Sequence, residues 1–323
     1  MSWTIEEFAS REEWIAGRSG IGGSMAGAAL GLSRRESPLS LFLRLRGQLD
    51  PIEQSEAMEW GHRLEPVVME AIRDAVAEPE GIVDWEPTGD RHVIRRSVDR
   101  PWQFATVDGL CRGRRGKGIV EAKTTNQYLA GDWADGVPVW YRAQVDHYMS
   151  VLGPEYTFAI VGCLIGGQRF VWHVVERDEE RIADLNEVEA DLWRAVEAGD
   201  PSGLCDGHPA TTRALDEAHP ASACSGGAID LSAEEEIRAA LTVLRSAEEI
   251  LRSATVRKTE AVNALKQRLG EAVEGSHGDD VIRWAPASTK RLDTKRLRAE
   301  RPEIFEEFAT TTTARRFRVN WGK

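Results

Sequence analysis

A glutamate and a lysine two residues apart end one of the most strand-like runs of this chain, Gly118-Ile119-Val120-Glu121-Ala122-Lys123, and they constrain its fold more than any other feature. Side chains alternate across a strand, so Glu121 and Lys123 share one face while Ala122 takes the other. The β-prone run Phe104-Ala105-Thr106-Val107 ends in Asp108-Gly109, and a Gly/Arg-rich turn over residues 112–118 joins the two runs. This reads as a hairpin in which Asp108 meets Glu121 and Lys123 from the neighbouring strand.

Two carboxylates and an amine so placed can hold a hard divalent cation beside a phosphodiester. Mg²⁺ prefers carboxylate and water oxygens, and two such ions can clamp the attacking and leaving oxygens of an in-line displacement. Asp108 would be the shared ligand, Glu121 and the Ala122 carbonyl would complete the nucleophile-side ion, and Lys123 would orient water and stabilise developing charge. Asp-Gly is also a common turn pair, and E-x-K on a strand is commonly a solvated ion pair, so neither fragment alone specifies this chemistry.

Flanking segments add to the pattern. Residues 58–77 follow a helical period with Leu64, Val67, Val68, Ala71, Ile72 and Ala75 as the apolar stripe, and Glu65 lies beside it, ahead of Pro66. Around residues 140–149 the spacing puts Gln144 and Tyr148 on one helix face, an amide and a phenol suited to phosphate oxygens. Ser24 is placed to cap a short helix over residues 25–30, with Gly22 and Gly23 allowing close backbone approach to an anion.

The order Ile21-Gly22-Gly23-Ser24, Gly31-Leu32-Ser33, Ser37-Pro38-Leu39, Gly61-x-x-x-Glu65, Asp108-Gly109, Glu121-x-Lys123 and Gln144-x-x-x-Tyr148 resembles the YqaJ-type viral recombinase family. These are relatives of phage lambda exonuclease in the PD-(D/E)xK nuclease superfamily, and the resemblance spans about residues 10–200. It implies an α/β core with a mixed central β-sheet flanked by helices, two Mg²⁺ ions for which Mn²⁺ can substitute, and 5′ to 3′ digestion of linear double-stranded DNA. The 3′ strand left behind would load a single-strand annealing protein, and related enzymes form homo-oligomeric rings.

Carried onto this sequence, the metal site falls on Glu65, Asp108, Glu121 and the Ala122 carbonyl, and the catalytic lysine on Lys123, with Gln144 beside it. A 5′-phosphate pocket is implied for Arg18, Ser24, Thr106 and Gln144. Two positions depart from the family pattern: Met25 stands where many members have an acid, and Val107 replaces the proline of the superfamily name. An endonuclease or bidirectional repair nuclease on the same scaffold, or a catalytically silent DNA-binding scaffold, are the rival readings.

The net charge of -12 argues against nonspecific affinity for DNA, but phosphate contacts depend on local clusters. Arg112, Arg114, Arg115 and Lys117 form one in the hairpin turn, and Arg34 and Arg35 another. No run of apolar residues suffices to span a bilayer and the first residues lack a signal-peptide layout, which leads to the expectation of a cytoplasmic protein. Cys111, Cys163, Cys205 and Cys224 contain no C-x-x-C pair, so reduced thiols are expected. Cys205 and Cys224 with His208 and His219 match no standard zinc-finger spacing.

Beyond the catalytic region, residues 157–163 and 170–175 read as a hairpin, followed by a helix over 178–198. The expected organisation is an exonuclease domain over 1–200, a linker over 201–230, a long helical segment over 231–274 and a small basic α+β unit over 275–323. The long helix has an apolar seam interrupted at Glu248, Thr255 and Lys258, favouring packing on the protein's own body or a hinged hairpin over a long coiled coil. In the last unit a strand is expected near 281–284, a helix over 293–308 and a strand over 315–321; it would contact DNA, a partner protein or a neighbouring subunit.

Overall fold

The computed structural model describes residues 3–88, 92–224 and 226–321, and divides the chain into two units, Met1–Pro220 and Ala221–Lys323. The strands of the first are β1 (Trp3–Glu7), β2 (Ile21–Gly22), β3 (Asp84–Pro87), β4 (Val93–Ser97), β5 (Gln103–Ala105), β6 (Gly109–Gly113), β7 (Gly116–Thr125), β8 (Tyr156–Ile165) and β9 (Arg169–Glu176). Its helices are α1 (Arg11–Gly17), α2 (Gly23–Ala29), α3 (Pro38–Leu45), α4 (Glu56–Val76), α5 (Val139–Leu152), α6 (Glu179–Ala198) and α7 (Pro209–Ala218).

The larger sheet is mixed, in the order β3-β6-β7-β8-β9, with β7 and β8 parallel and the other neighbours antiparallel. A parallel pair needs a crossover, and a 3-10 helix (Gln127–Trp133) with α5 supplies it. Alternation along β7 then sorts its side chains. Ile119 joins the core beneath α5, whereas Val120 and Ala122 face Val68, Met69, Ile72 and Val76 of α4. The α/β architecture with a mixed sheet between helices is the expected one.

Several details differ from expectation. The run Phe104–Val107 does not form the hairpin: only Phe104 and Ala105 are in a strand, β5, which belongs to a second sheet, β1-β4-β5-β2, and the hairpin is β6–β7, turning at Arg114 and Arg115. Asp108 is therefore the link between the two sheets. Ser24 is no cap, because α2 begins two residues earlier than expected, with Gly22 at its N-cap and no side-chain capping bond. Gly22 and Gly23 approach the core and not a ligand; a Cβ on Gly23 would stand 2.3 Å from Tyr148 Cε1, and one on Gly22 2.7 Å from Phe104 Cζ. In α4, Ser55 caps the helix, Pro66 is accommodated without ending it, and Val67 is 56% exposed although it was assigned to the stripe.

Part of the expected linker is folded. Pro209 at the first position and the His208 side chain, accepting from the Ala210 N–H, start α7. Ala210, Thr211 and Ala214 are buried, and Thr211 Oγ1 donates to Ser37 Oγ at 2.7 Å, tying α7 to the cap of α3.

The second unit comprises α8 (Glu235–Leu269), the hairpin of β10 (Glu274–His277) and β11 (Asp280–Arg283), and two short helices, α9 (Thr294–Glu300) and α10 (Pro302–Phe308). α8 is one uninterrupted helix with no buried residue, neither hinged nor packed on a core. The expected helix over 293–308 breaks at Arg301, because Pro302 has no N–H for the ladder and disfavours a helical residue before it. Residues 315–321 form no strand; Trp321 lies against α8, its Nε1 donating to Glu248 at 2.9 Å beneath the Arg245 guanidinium. Among the described residues no helix is long and apolar enough to cross a membrane.

Candidate active site

Glu121 is the centre of the site. It sits mid-strand on the β7 face turned to α5, its side chain 3% exposed. Its Oε1 accepts from Lys123 Nζ at 2.5 Å and from Gln144 Nε2 at 2.6 Å, while its buried Oε2 has no hydrogen-bond partner. Burial, with Asp108 and then Glu65 adding repulsion against the pull of Lys123, pushes its carboxyl up to about 8.

Asp108 reaches the same place from the link before β6. Its Oδ2 accepts from the Ala122 N–H at 2.8 Å, so Ala122 enters the site through its amide. Thr88 fixes the link from behind, its N–H donating to the Asp108 carbonyl at 2.8 Å and its hydroxyl to that of Val107. Burial raises the Asp108 carboxyl, and Lys123 and the Ala122 N–H oppose that rise. Burial would lower Lys123, but Glu121 and Asp108 outweigh it and hold the amine protonated well above its ordinary range. Lys123 is thus placed as a hydrogen-bond donor and a positive charge beside the two acids.

The helix-face pair is also brought in. Gln144 Nε2 donates to the Tyr148 hydroxyl at 3.0 Å, and that hydroxyl donates to the Thr106 carbonyl at 2.9 Å. Both side chains thus hold the acidic centre in place. Arg18 lies between the Trp14 and Phe104 rings, at 4.8 and 5.8 Å from their centroids, with Nε buried and unpartnered. Burial lowers its pKa, and Tyr148 is near enough to act on it. Ser24 is exposed.

Glu65 is close enough to Glu121 to raise it, and its side chain approaches His62 at 4.0 Å. Among the described residues, however, no three His, Cys, Asp or Glu side chains converge into a ready cage. The observed donors still fit a hard divalent cation: two carboxylates are forced together, and one buried oxygen of Glu121 lacks a partner.

The hairpin arginines are placed elsewhere. The turn precedes Gly116, five residues along β7 from Glu121, about 17 Å at the strand rise. Its charges are already engaged: Arg112 with Asp84 at 3.3 Å, Arg115 with Glu80 at 2.7 Å and with Glu176, Lys117 with Glu155, and Arg114 with the Glu78 carbonyl. The expected DNA-contact cluster is instead the far end of the hairpin, with Arg112, Arg115 and Lys117 in ion pairs and Arg114 on a backbone carbonyl. Arg34 likewise pairs with Asp132 at 2.7 Å.

Sequence reasoning missed two supports. Tyr141 lies under Lys123, whose Nζ stands 4.9 Å from the ring centroid, and Trp133 packs on Tyr141 at 5.7 Å. Behind Tyr148, His147 is fully buried with Nδ1 2.8 Å from Glu189 Oε1 and Nε2 3.0 Å from the Phe104 carbonyl. Gln103 donates to Glu189 at 2.6 Å and to Asn186 at 2.9 Å, which binds β5 to α6. A signal existed: Glu189 occupies the apolar stripe of α6 with Ile182, Leu185, Leu192 and Val196.

A family model of the YqaJ-like viral recombinase domain matches residues 13–155, the stretch from α1 through α5 that builds this site. The YqaJ protein of Bacillus subtilis (strain 168) is 35% identical over 315 residues, covering 96% of this chain and 94% of that one. The chain belongs to the YqaJ family. The relatedness extends beyond residue 200 and includes the second unit. Among solved structures, the alkaline exonuclease LHK-Exo from Laribacter hongkongensis is 20% identical with a TM-score of 0.46, over 58% of this chain and 93% of its own. A phage-related exonuclease from Haemophilus somnus 129PT is 12% identical with a TM-score of 0.38, over 55% and 94%.

Proposed function

We propose that this YqaJ-family protein is a magnesium-dependent exonuclease that digests one strand of linear double-stranded DNA from its 5′ end, leaving a 3′ strand for a single-strand annealing protein in phage-type recombination. The observation that carries the nuclease reading is Glu121: a buried carboxylate with one unpartnered oxygen, pressed against Asp108 and a protonated Lys123. Burying two acids together is costly unless a cation compensates them. Asp108 and Glu121 would hold the metal, with Glu65 at the margin, and when bound it supplies Lewis-acid polarisation of the phosphodiester and a more acidic water.

The chain's own groups divide the remaining work. Lys123, fixed over Tyr141, presents an ammonium to the negative charge that grows in the transition state. Gln144 and Tyr148 keep Glu121 from rotating away. Arg18 supports a 5′-end preference, because a half-buried guanidinium with a buried, unpartnered Nε is a ready anion partner near Tyr148.

Digestion of linear duplex labelled at either end, with and without a 5′-phosphate and beside closed circles, tests the reading. Label released from 5′ ends only, faster when phosphorylated, is the expected result. Cleavage of circles would replace it with an endonuclease, and DNA binding without cleavage in Mg²⁺ or Mn²⁺ would replace it with a silent scaffold.

A further inference from the structure

The second unit is a polar shell without an interior: none of its described residues is buried. Its charge runs against that of the chain, which carries -12 overall. Between Arg283 and Arg301 stand Lys290, Arg291, Lys295, Arg296 and Arg298, opposed within that span only by Asp293 and Glu300. Glu303, Glu306 and Glu307 follow on α10, and farther on comes Arg315-Arg316-Phe317-Arg318.

Availability separates this cluster from the one in the catalytic hairpin. There every basic side chain already has a partner. Here Arg283, Arg296 and Arg301 pair with nearby acids, but Lys290, Arg291, Lys295, Arg316 and Arg318 are exposed and without an ion pair among the described residues.

Aromatic rings are interleaved with these charges. Phe317 is 86% exposed between Arg316 and Arg318, Phe308 is 76% exposed, and Trp284 is 47% exposed with Lys266 Nζ 5.3 Å from its ring. Unpaired cations ask for an anion, and bare rings ask for flat apolar faces. A single-stranded nucleic acid offers both at a regular spacing, whereas a duplex hides its base faces.

We propose that residues 283–318 form a binding site for single-stranded DNA, in which Lys290, Arg291, Lys295, Arg316 and Arg318 contact phosphates and Phe317 stacks on a base. Taking that strand to be the enzyme's own 3′ product rests on the nuclease reading above; the binding itself does not.

The test uses the full chain in chelator, so that nothing is cut, with a fluorescent oligothymidylate, a blunt duplex and anionic vesicles as probes. Phe317→Ala should weaken oligothymidylate binding roughly tenfold, and Phe317→Trp should restore it, as stacking requires. Blunt-duplex binding should be unchanged by either substitution. Replacing Arg316 and Arg318 together by Gln should reduce the salt slope for the single strand by about 1.4, the share of two phosphates. Phe317→Ala binding oligothymidylate as well as wild type, an equal loss for the duplex, or tighter binding to vesicles than to DNA would overturn the proposal. Single-strand binding that persists in a protein found to lack nuclease activity would still support the site and would remove only its link to product.

Discussion

In the first unit Glu121, His147 and Glu189 are drawn out of water and each meets a partner of opposite charge; in the second, no described residue is buried, and Lys290, Arg291, Lys295, Arg316 and Arg318 are among the cations that face solvent without an ion pair. A desolvated charge is costly, so it is retained where geometry and chemistry use it, as at the carboxylate centre. A solvated charge costs little to carry and can be given to a ligand with release of counterions. The hairpin arginines, basic in sequence but neutralised in place, show that the surroundings of a charge, more than the charge itself, decide which role it takes.

The sharpest break of the comparison is chemical. Lys123→Ala should lower nucleotide release by about 10²–10³-fold, the usual cost of removing one preorganised donor, with the circular dichroism spectrum unchanged. Stability comes next. Ile72, fully buried between α4 and the sheet, should cost about 2–5 kcal/mol as Ile72→Ala in urea unfolding. Leu251, 68% exposed on α8, should change stability by no more than about 0.5 kcal/mol when replaced by Ala. Equal losses would mean that the second unit has an interior after all.

Two smaller effects sharpen the picture of the buried charges. Both nitrogens of His147 face acceptors, and although burial opposes the charge, Glu189 and the Phe104 carbonyl raise its pKa above the ordinary 6.5. A folded value above the unfolded one contributes stability that is fully present below about 6.5 and is lost as pH rises through the folded value. His147→Gln should therefore flatten the decline of stability on the alkaline side of 6.5; a slope identical to wild type would remove the imidazolium from the core. The smallest effect is expected at the hairpin turn, where Arg115→Ala should leave the salt dependence of DNA binding unchanged.

The catalytic pair was legible because strand alternation is a local rule, and Glu121 and Lys123 obey it whatever packs above them. Asp108 was legible as a partner but not as the link between two sheets, since β2 and β5 are two and three residues long and are held by non-local pairing. Ser24 looked like a cap because a hydroxyl is the usual local signal for a helix start, whereas α2 starts two residues earlier with Gly22 at its N-cap. The strand expected over 315–321 had the right residue types but pairs with none of the described strands. Helix α7 was passed over amid turn-forming residues, although His208-Pro209 carried its start signal. The pairing of Arg112, Arg115 and Lys117 depends on acids from β3, β9 and the loops after α4 and before β8, which no reading of the turn alone supplies.

The most direct measurement is Mg²⁺-dependent release of nucleotides from linear duplex DNA by wild type and by Glu121→Ala, with folding of both followed by thermal unfolding. Release by wild type and its loss in a Glu121→Ala variant that remains folded are predicted. Undiminished release by Glu121→Ala would contradict the assignment of the chemistry to this buried cluster.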